Sequence, residues 1–263
     1  DGMIRQAYQE QNDDNAKALN QKRQELLKRI KHLRTHRRRG NVLEYVKSNI
    51  TQPLAKEGSE LDSQPDLLAC LNGVVDLSTG AFSPGRPDQC LTKASPVEFK
   101  GIDEPAPTWE RFLKEVFSGN DDLIHYVHKT LGYATTGHVK DNSFFVLSGQ
   151  GRNGKSVLIE CVQHVMGDHM GPIQAELLLD QGRSRSSAGP SPDIMALKGL
   201  RLAVASETDQ GRRISPSAVK WLTGGDTLIG RNPHDKLTTR FQPTHKLFLL
   251  TNHKPHAPAD DFA

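Results

Sequence analysis

One glycine-rich stretch, GQGRNGKS, constrains the fold of this chain more than any other feature of its sequence. It satisfies the phosphate-binding pattern G-x-x-x-x-G-K-[ST], whose defining residues are Gly149, Gly154, Lys155 and Ser156. An apolar run at 144–147, typical of a buried strand, precedes it, and apolar residues at helical spacing follow from Val157 onward. The glycines thus lie between a strand end and a helix start, where main-chain N–H groups and the helix dipole bind anions. This context favours a nucleotide-phosphate site in an α/β fold over a glycine-rich turn that binds nothing.

The chemistry of such a loop depends on each residue type in it. Glycines let the main chain wrap the phosphates, Lys155 reaches the β- and γ-phosphates, and the Ser156 hydroxyl can ligate magnesium. We therefore expect a nucleotide and Mg²⁺ as ligands. The residues expected to contact the nucleotide are Gly149, Gln150, Gly151, Arg152, Asn153, Gly154, Lys155, Ser156 and Val157.

Two further apolar runs end on polar residues suited to phosphate chemistry. The first, LRLAVASET at 200–208, predicts a short strand that ends on Glu207, an acid placed to hold magnesium or to polarise the attacking water. Asp209 is a weaker substitute. The second, KLFLLTN, predicts a buried strand that finishes on Asn252, whose amide could orient the water or sense the γ-phosphate. An acid or an asparagine that merely ends a strand is the alternative for each.

Charge is distributed unevenly along the 263 residues, although the net charge is only +3. Residues 22–39 contain nine Lys or Arg against one acid, Glu25. Such a run indicates either a solvated helix face or an acidic partner such as nucleic acid.

The three cysteines include no C-x-x-C pair, which favours a reducing compartment over a disulfide framework or a zinc knuckle. No apolar stretch is long enough to span a membrane and no signal peptide opens the chain, so we expect a soluble, cytoplasmic protein without a membrane partner. The first residue is Asp1, so we expect an excised fragment.

The pattern of elements predicts two domains. Residues 1–105 form a smaller helical and β-hairpin domain, with the hairpin at 71–82. Residues 106–263 form the phosphate-loop domain, which opens with two amphipathic helices before the phosphate-loop strand. A serine-rich stretch at 182–193 has the composition of a mobile loop.

Taken in order, these features resemble the superfamily 3 helicases, and specifically the phage and plasmid primase-helicase family. NGVVDLSTGAF with LTKASPVEF is similar to the region ahead of the motor, GQGRNGKS to the Walker A motif, and LAVASET to the Walker B motif. KWLTGGDTLIGR resembles the B-prime motif that distinguishes this superfamily, and LFLLTNHKP resembles motif C with Asn252 as the sensor residue.

The resemblance implies that residues 106–263 are an AAA+ type ATPase domain with a three-layer α/β core, and that its nucleotide is ATP. It also implies that the protein assembles as a hexameric ring and moves along single-stranded or forked DNA. It also implies a hairpin that grips the DNA backbone within the ring. The stretch TLIGRNPHDKLTTRF independently predicts two strands joined by a polar turn. The expected phosphate contacts there are Arg231, His234, Lys236 and Arg240, against an ordinary charged surface hairpin as the alternative.

The chain also departs from the family. It ends at PADDFA, ahead of the position of the arginine that reaches a neighbouring subunit, so we expect that arginine beyond residue 263. The polymerase-like primase region found upstream in the family is not visible.

Two other classes of function stay open at this stage. One is a different phosphate-loop enzyme, such as a small-molecule kinase or a GTPase, although NHKP at 252–255 lacks the aspartate of the guanine-binding N-K-x-D motif. The other is a replication-initiation scaffold that binds ATP and DNA but hydrolyses little ATP. DNA-stimulated ATP hydrolysis separates these from the helicase.

Overall fold

The structure, a computed structural model, describes residues 13–47, 58–182, 189–207 and 212–256. Contacts between residues divide the chain into two compact units, Asp1–Gly58 and Ser59–Ala263. Among the described residues, no helix combines the length and the apolar character needed to cross a membrane.

The first unit consists of two helices, α1 (Asp13–Leu33) and α2 (His36–Lys47). This confirms the helical character expected for the start of the chain. The basic run lies on these helices and is solvent-exposed throughout. Several apolar side chains of both helices are also about half exposed, among them Leu26, Ile30 and Val42.

The second unit opens with a small antiparallel sheet. Its strands are β1 (Leu67–Cys70), β2 (Gly73–Asp76) and β3 (Phe82–Ser83), in the order β1-β2-β3. The turn between β2 and β3 is closed by Asp76, whose carboxylate accepts hydrogen bonds from the main chain and the hydroxyl of Ser78. The predicted hairpin is confirmed, and β1 adds a strand that the sequence did not indicate.

Two helices lead from this small sheet to the phosphate-loop strand. They are α3 (Pro107–Val116) and α4 (Asp121–Thr135). Proline occupies the first position of α3, where a helix needs no N–H donor. The Asn120 side chain caps α4 by accepting a hydrogen bond from the main-chain N–H of Leu123. Both predicted helices are therefore confirmed.

A four-stranded parallel sheet forms the centre of the unit. Its strands are β4 (Phe144–Ser148), β5 (Met170–Ile173), β6 (Leu202–Glu207) and β9 (Lys246–Thr251), in the order β4-β9-β6-β5. The glycine-rich loop joins β4 to helix α5 (Lys155–Met166). Two shorter helices, α6 (Pro192–Met195) and α7 (Pro216–Thr223), follow β5 and β6 respectively.

Alternating side chains of the central strands supply two separate hydrophobic clusters, one on each face of the sheet. Leu202, Val204 and Phe248 pack with Ile159 and Met166 of α5. The intervening residues pack on the opposite face with α6, α7 and the hairpin strands, in a cluster that includes Ala203, Ala205, Leu247, Leu249, Ile194, Leu222, Leu228 and Phe241. This is a three-layer α/β core, as predicted.

A second antiparallel pair, β7 (Leu228–Gly230) and β8 (Thr239–Phe241), precedes β9. It confirms the two strands predicted from TLIGRNPHDKLTTRF. Leu228 and Phe241 are paired in register and point into the core, whereas Ile229 is half exposed.

The structure differs from the sequence expectations in two places. The small sheet lies in the same compact unit as the phosphate loop, so this unit begins at Ser59 rather than at the predicted boundary near residue 105. Long-range bonds cause this, for example that of Ser95 Oγ to Val165 O at 2.6 Å. Strand β4 was predicted to be buried, but it lies at the edge of the central sheet and Val146 is 39% exposed.

Candidate nucleotide site

The glycine-rich loop connects the carboxyl end of β4 to the first residue of α5. Its start is fixed by a hydrogen bond from the Gly149 N–H to the carbonyl of Thr251, at 3.3 Å, on the neighbouring strand. Its end is fixed by Gly154, which caps α5 at a φ of +82°. The first N–H groups of a helix have no partners within the helix, so this position suits an anion.

The Lys155 ammonium donates hydrogen bonds to several oxygen atoms of the loop. Its Nζ donates to the carbonyl of Gly149 at 2.5 Å, to the side-chain oxygen of Asn153 at 2.9 Å and to that of Asn252 at 3.3 Å. The carbonyl of Gln150 lies at 3.4 Å. Four of the predicted site residues thus contact the predicted lysine.

The carboxyl ends of three neighbouring strands lie side by side. Ser148 pairs with Thr251, and Thr251 pairs with Glu207, so the three residues form one row across β4, β9 and β6. Asn252 directly follows this row. One strand, β9, therefore lies between the phosphate-loop strand β4 and the strand β6 that ends at Glu207, and Asn252 follows the end of β9. In open α/β sheets, ligands bind at this carboxyl edge.

Helix α3 packs against the loop at Gly154, a contact that the sequence did not indicate. A Cβ atom on Gly154 would lie 2.6 Å from Val116 Cγ2 and 3.6 Å from Phe112 Cε2. The second glycine of the motif is therefore required twice, by its positive φ and by the approach of α3. By contrast, a Cβ on Gly151 would meet nothing within 4 Å.

The other residues predicted to contact the nucleotide differ in backbone conformation and in how far the structure describes them. Arg152 has a φ of +64° and is exposed at the tip of the loop. Ser156 and Val157 are exposed on the first turn of α5. The side chain of Glu207, and all of Asp209, lie outside the described residues. A magnesium ion held by Ser156 and Glu207 stays a prediction. Magnesium usually binds one or two protein ligands together with phosphate oxygens and waters. The exposed Ser156 hydroxyl beside Lys155 fits that preference.

The hairpin formed by β7, β8 and the turn between them carries the predicted DNA contacts. His234, Lys236 and Arg240 are exposed, and His234 has a φ of +71°. The Arg231 guanidinium instead donates to the carbonyl of Asp235 at 3.0 Å, so it also holds the turn. Leu237, which the sequence analysis did not single out, is 81% exposed here. A contact of any of these residues with DNA stays a prediction.

Sequence reasoning also missed a group of buried basic residues at the opposite, amino edge of the central sheet. Burial lowers the pKa of Lys246 to about 7 and that of Arg201 to about 10, and the neighbouring Arg201 charge lowers the pKa of Lys246 further. Burial also lowers the pKa of His169 and of His245 to about 4. A charged residue directly before each buried apolar run was the available signal.

Comparisons with known proteins find similarity to one family model and to several viral proteins. Residues 1–118 match the family described as D5 N terminal like. Putative helicase L207/L206 of Acanthamoeba polyphaga mimivirus is 34% identical over 204 residues, which cover 76% of this chain and 21% of that protein. Putative helicase V13 of Sputnik virophage is 27% identical over 195 residues, which cover 73% of this chain and 25% of that protein.

A solved structure has a similar fold. The apo C terminal region of NrS-1 superposes with a TM-score of 0.51 and 13% identity, over 85% of this chain and 51% of that one. The chain spans about a fifth to a quarter of the viral relatives named above. Residues 1–118 thus match the D5 N terminal like family, and about three quarters of the chain is similar to viral proteins named helicases.

Proposed function

We propose that this chain is the ATP-hydrolysing motor of a DNA helicase, which uses the energy of hydrolysis to move along DNA and separate its strands. The observation that carries the proposal is the meeting of Lys155 with the phosphate-loop oxygens and with Asn252, beside the strand end at Glu207. Relatives named helicases support the same class of function.

Binding of ATP by the glycine-rich loop would be the first step of the reaction. The ammonium of Lys155 is held by neutral oxygens, which a β- or γ-phosphate oxygen of higher charge can replace. Main-chain N–H groups at the start of α5 would bind the remaining phosphate charge. Ser156 would ligate Mg²⁺, which neutralises charge between the phosphates.

Hydrolysis then requires an oriented water and stabilisation of the developing charge. Glu207, at the end of β6, would orient and polarise the attacking water. Asn252, between the acid and the lysine, would sense the γ-phosphate, because its amide already contacts Lys155 and that contact changes when phosphate arrives. The site has no need of a covalent intermediate, since phosphoryl transfer to water depends mostly on positioning and electrostatics.

Coupling to DNA would use the exposed turn between β7 and β8. This hairpin leads directly into β9, which ends at Asn252. A change in contacts at Asn252 can therefore reach the turn through a single strand and a short connection. We propose that His234, Lys236 and Arg240 contact the DNA backbone, and that six copies of the protein surround the DNA as a ring.

Hydrolysis of Mg-ATP by the full-length protein tests this proposal, with two matched lysine variants. Lys155→Ala should weaken ATP binding and lower turnover on the order of a hundredfold or more, because the phosphate charge loses its main counterion. Lys129→Ala removes an exposed lysine from α4 and should leave both unchanged. Wild-type turnover by Lys155→Ala would remove the nucleotide site from this loop.

A further inference from the structure

Two buried cations stand at the amino ends of adjacent central strands. Arg201 directly precedes β6 and is 5% exposed, while Lys246 opens β9 and is 3% exposed. Leu202 and Lys246 are paired in register, so the two cations are neighbours at one edge of the sheet. Buried charges of the same sign are costly unless other groups stabilise them, so this pair needs an explanation.

Every hydrogen bond that the structure describes for these two side chains goes to a main-chain carbonyl. The Arg201 guanidinium donates to the carbonyl of Thr135 at 2.7 Å and also to that of Leu67 in β1. The Lys246 ammonium donates to the carbonyl of Thr136, and to those of His138 and Thr244, both at 3.2 Å. It also lies 4.9 Å from the centre of the Tyr133 ring.

The carbonyls of Thr135 and Thr136 are those at the carboxyl end of α4. The last carbonyls of a helix have no partners within it and carry the negative end of the dipole, so they stabilise a nearby cation. The two cations therefore fasten three parts of the fold together: the end of α4, the edge strand β1 of the small sheet, and the start of β6 and β9.

The fastened strands are those that carry the proposed site. Strand β6 runs from Leu202 to Glu207, and β9 runs from Lys246 to Thr251, ahead of Asn252. The end of α4 leads through residues 136–143 into β4 and the phosphate loop. A strand that is hydrogen-bonded on both sides cannot shift at one end without shifting at the other. The contacts at the amino ends thus fix how far β4, β6 and β9 are displaced along one another, and so fix the relative positions of their carboxyl ends.

We propose that Arg201 and Lys246 form a positioning clamp, which sets Glu207 and Asn252 against the phosphate loop by holding the amino ends of β6 and β9 to the end of α4. The clamp rests on the proposed function for its catalytic consequence. Neither residue touches the nucleotide; each acts through its strand. The contact of Arg201 with Leu67 also makes the small sheet part of the support for the site.

Lys246→Met tests the clamp most directly, because methionine has a similar length and no charge. We expect the affinity for Mg-ATP to change by less than about threefold, and the turnover number of the full-length protein to fall about tenfold or more, as misplacement of catalytic groups lowers the rate strongly. Lys129→Met makes the same chemical change at an exposed site and should alter neither value. Arg201→Lys keeps the charge, but a lysine cannot reach the carbonyls of both Thr135 and Leu67. Its turnover number should therefore lie between those of Lys246→Met and the wild type.

Hydrogen–deuterium exchange gives a readout that does not depend on activity. In Lys246→Met and Arg201→Lys, amides at the carboxyl ends of β6 and β9 should exchange faster than in the wild type, and those in Lys129→Met should not. Unchanged exchange in both clamp variants would overturn the clamp, as would unchanged turnover per folded molecule. Absence of hydrolysis by the wild-type protein would instead overturn the proposed function, and the exchange result would still decide the clamp.

Discussion

Lys155 Nζ lies 3.3 Å from the side-chain oxygen of Asn252, which joins the phosphate loop to the end of the neighbouring strand β9. The two residues are far apart in sequence, and the parallel pairing of β4 with β9 brings them together. The lysine proposed to bind the phosphates and the amide proposed to sense them therefore share one contact. Arrival of a phosphate at Lys155 has to change the surroundings of Asn252.

Replacement of Asn252 by alanine separates sensing from binding. Asn252→Ala removes one of several oxygens around the Lys155 ammonium, so ATP should still bind with an affinity within a few fold of wild type. Turnover should fall about tenfold to a hundredfold, because the water and the γ-phosphate lose an orienting group. Equilibrium binding of a fluorescent ATP analogue and steady-state hydrolysis measure the two effects. Loss of binding in parallel with turnover would assign Asn252 to binding alone.

Glu207→Gln keeps the size of the side chain and removes its charge. Nucleotide should bind normally, while turnover falls on the order of a hundredfold or more, because the attacking water loses its polarising group. Single-turnover hydrolysis with radiolabelled ATP measures the chemical step itself. A normal rate in this variant would transfer the role to another acid, of which Asp209 is the nearest in sequence.

Two glycines of the loop should differ sharply in their tolerance of a methyl group. Gly154→Ala forces a positive φ on alanine and places its Cβ 2.6 Å from Val116 Cγ2, so ATP binding should be lost and the melting temperature should fall. Gly151→Ala meets no atom within 4 Å and should preserve the fold. Adding Val116→Ala to Gly154→Ala should recover part of the lost stability. No recovery would show that the backbone angle alone requires glycine.

The strand, glycine-rich loop and helix of the candidate site could be predicted from sequence because their signals are local. A strand, a glycine pattern and helical spacing follow one another in the chain, and the structure confirms all three. The ends of β6 and β9 were predicted for the same reason, since each apolar run stops at a polar residue. Contacts between distant segments gave no such signal. Arg201 and Leu67, for example, are bonded across 134 residues, and no pattern within either segment indicates the other.

Features that depend on the order of strands in the sheet could not be predicted from the sequence either. The apolar run of β4 resembles that of a central strand, yet its place at the edge of the sheet leaves Val146 exposed. Similarly, the approach of α3 to Gly154 depends on how α3 packs rather than on its amphipathic pattern. Both features follow from the tertiary arrangement.

Buried Lys246 should make stability depend on pH. Its pKa is lowered to about 7, so above that pH the folded protein has lost a proton that the unfolded chain keeps up to about pH 10. Stability should therefore rise with pH through this range. The titratable residues that face this ammonium are Arg201, Tyr133 and His138. They are present in both the wild type and Lys246→Met, so the difference between the two proteins reports on Lys246. Between about pH 7 and pH 9, wild type should gain about 2 kcal/mol relative to the variant in denaturant unfolding. Parallel stability curves would contradict a lowered pKa.

DNA stimulation of ATP hydrolysis, measured together with opening of a forked duplex, tests the central claim most directly. In the full-length protein, single-stranded DNA should raise turnover several-fold or more, and the fork should open only when ATP and Mg²⁺ are present. Joint neutralisation of His234 and Lys236 should abolish the stimulation while basal hydrolysis persists, whereas neutralisation of Arg37, Arg38 and Arg39 should only weaken DNA binding and its salt dependence. Turnover that is the same with and without DNA, in a protein that leaves the fork closed at every concentration, would contradict a DNA motor.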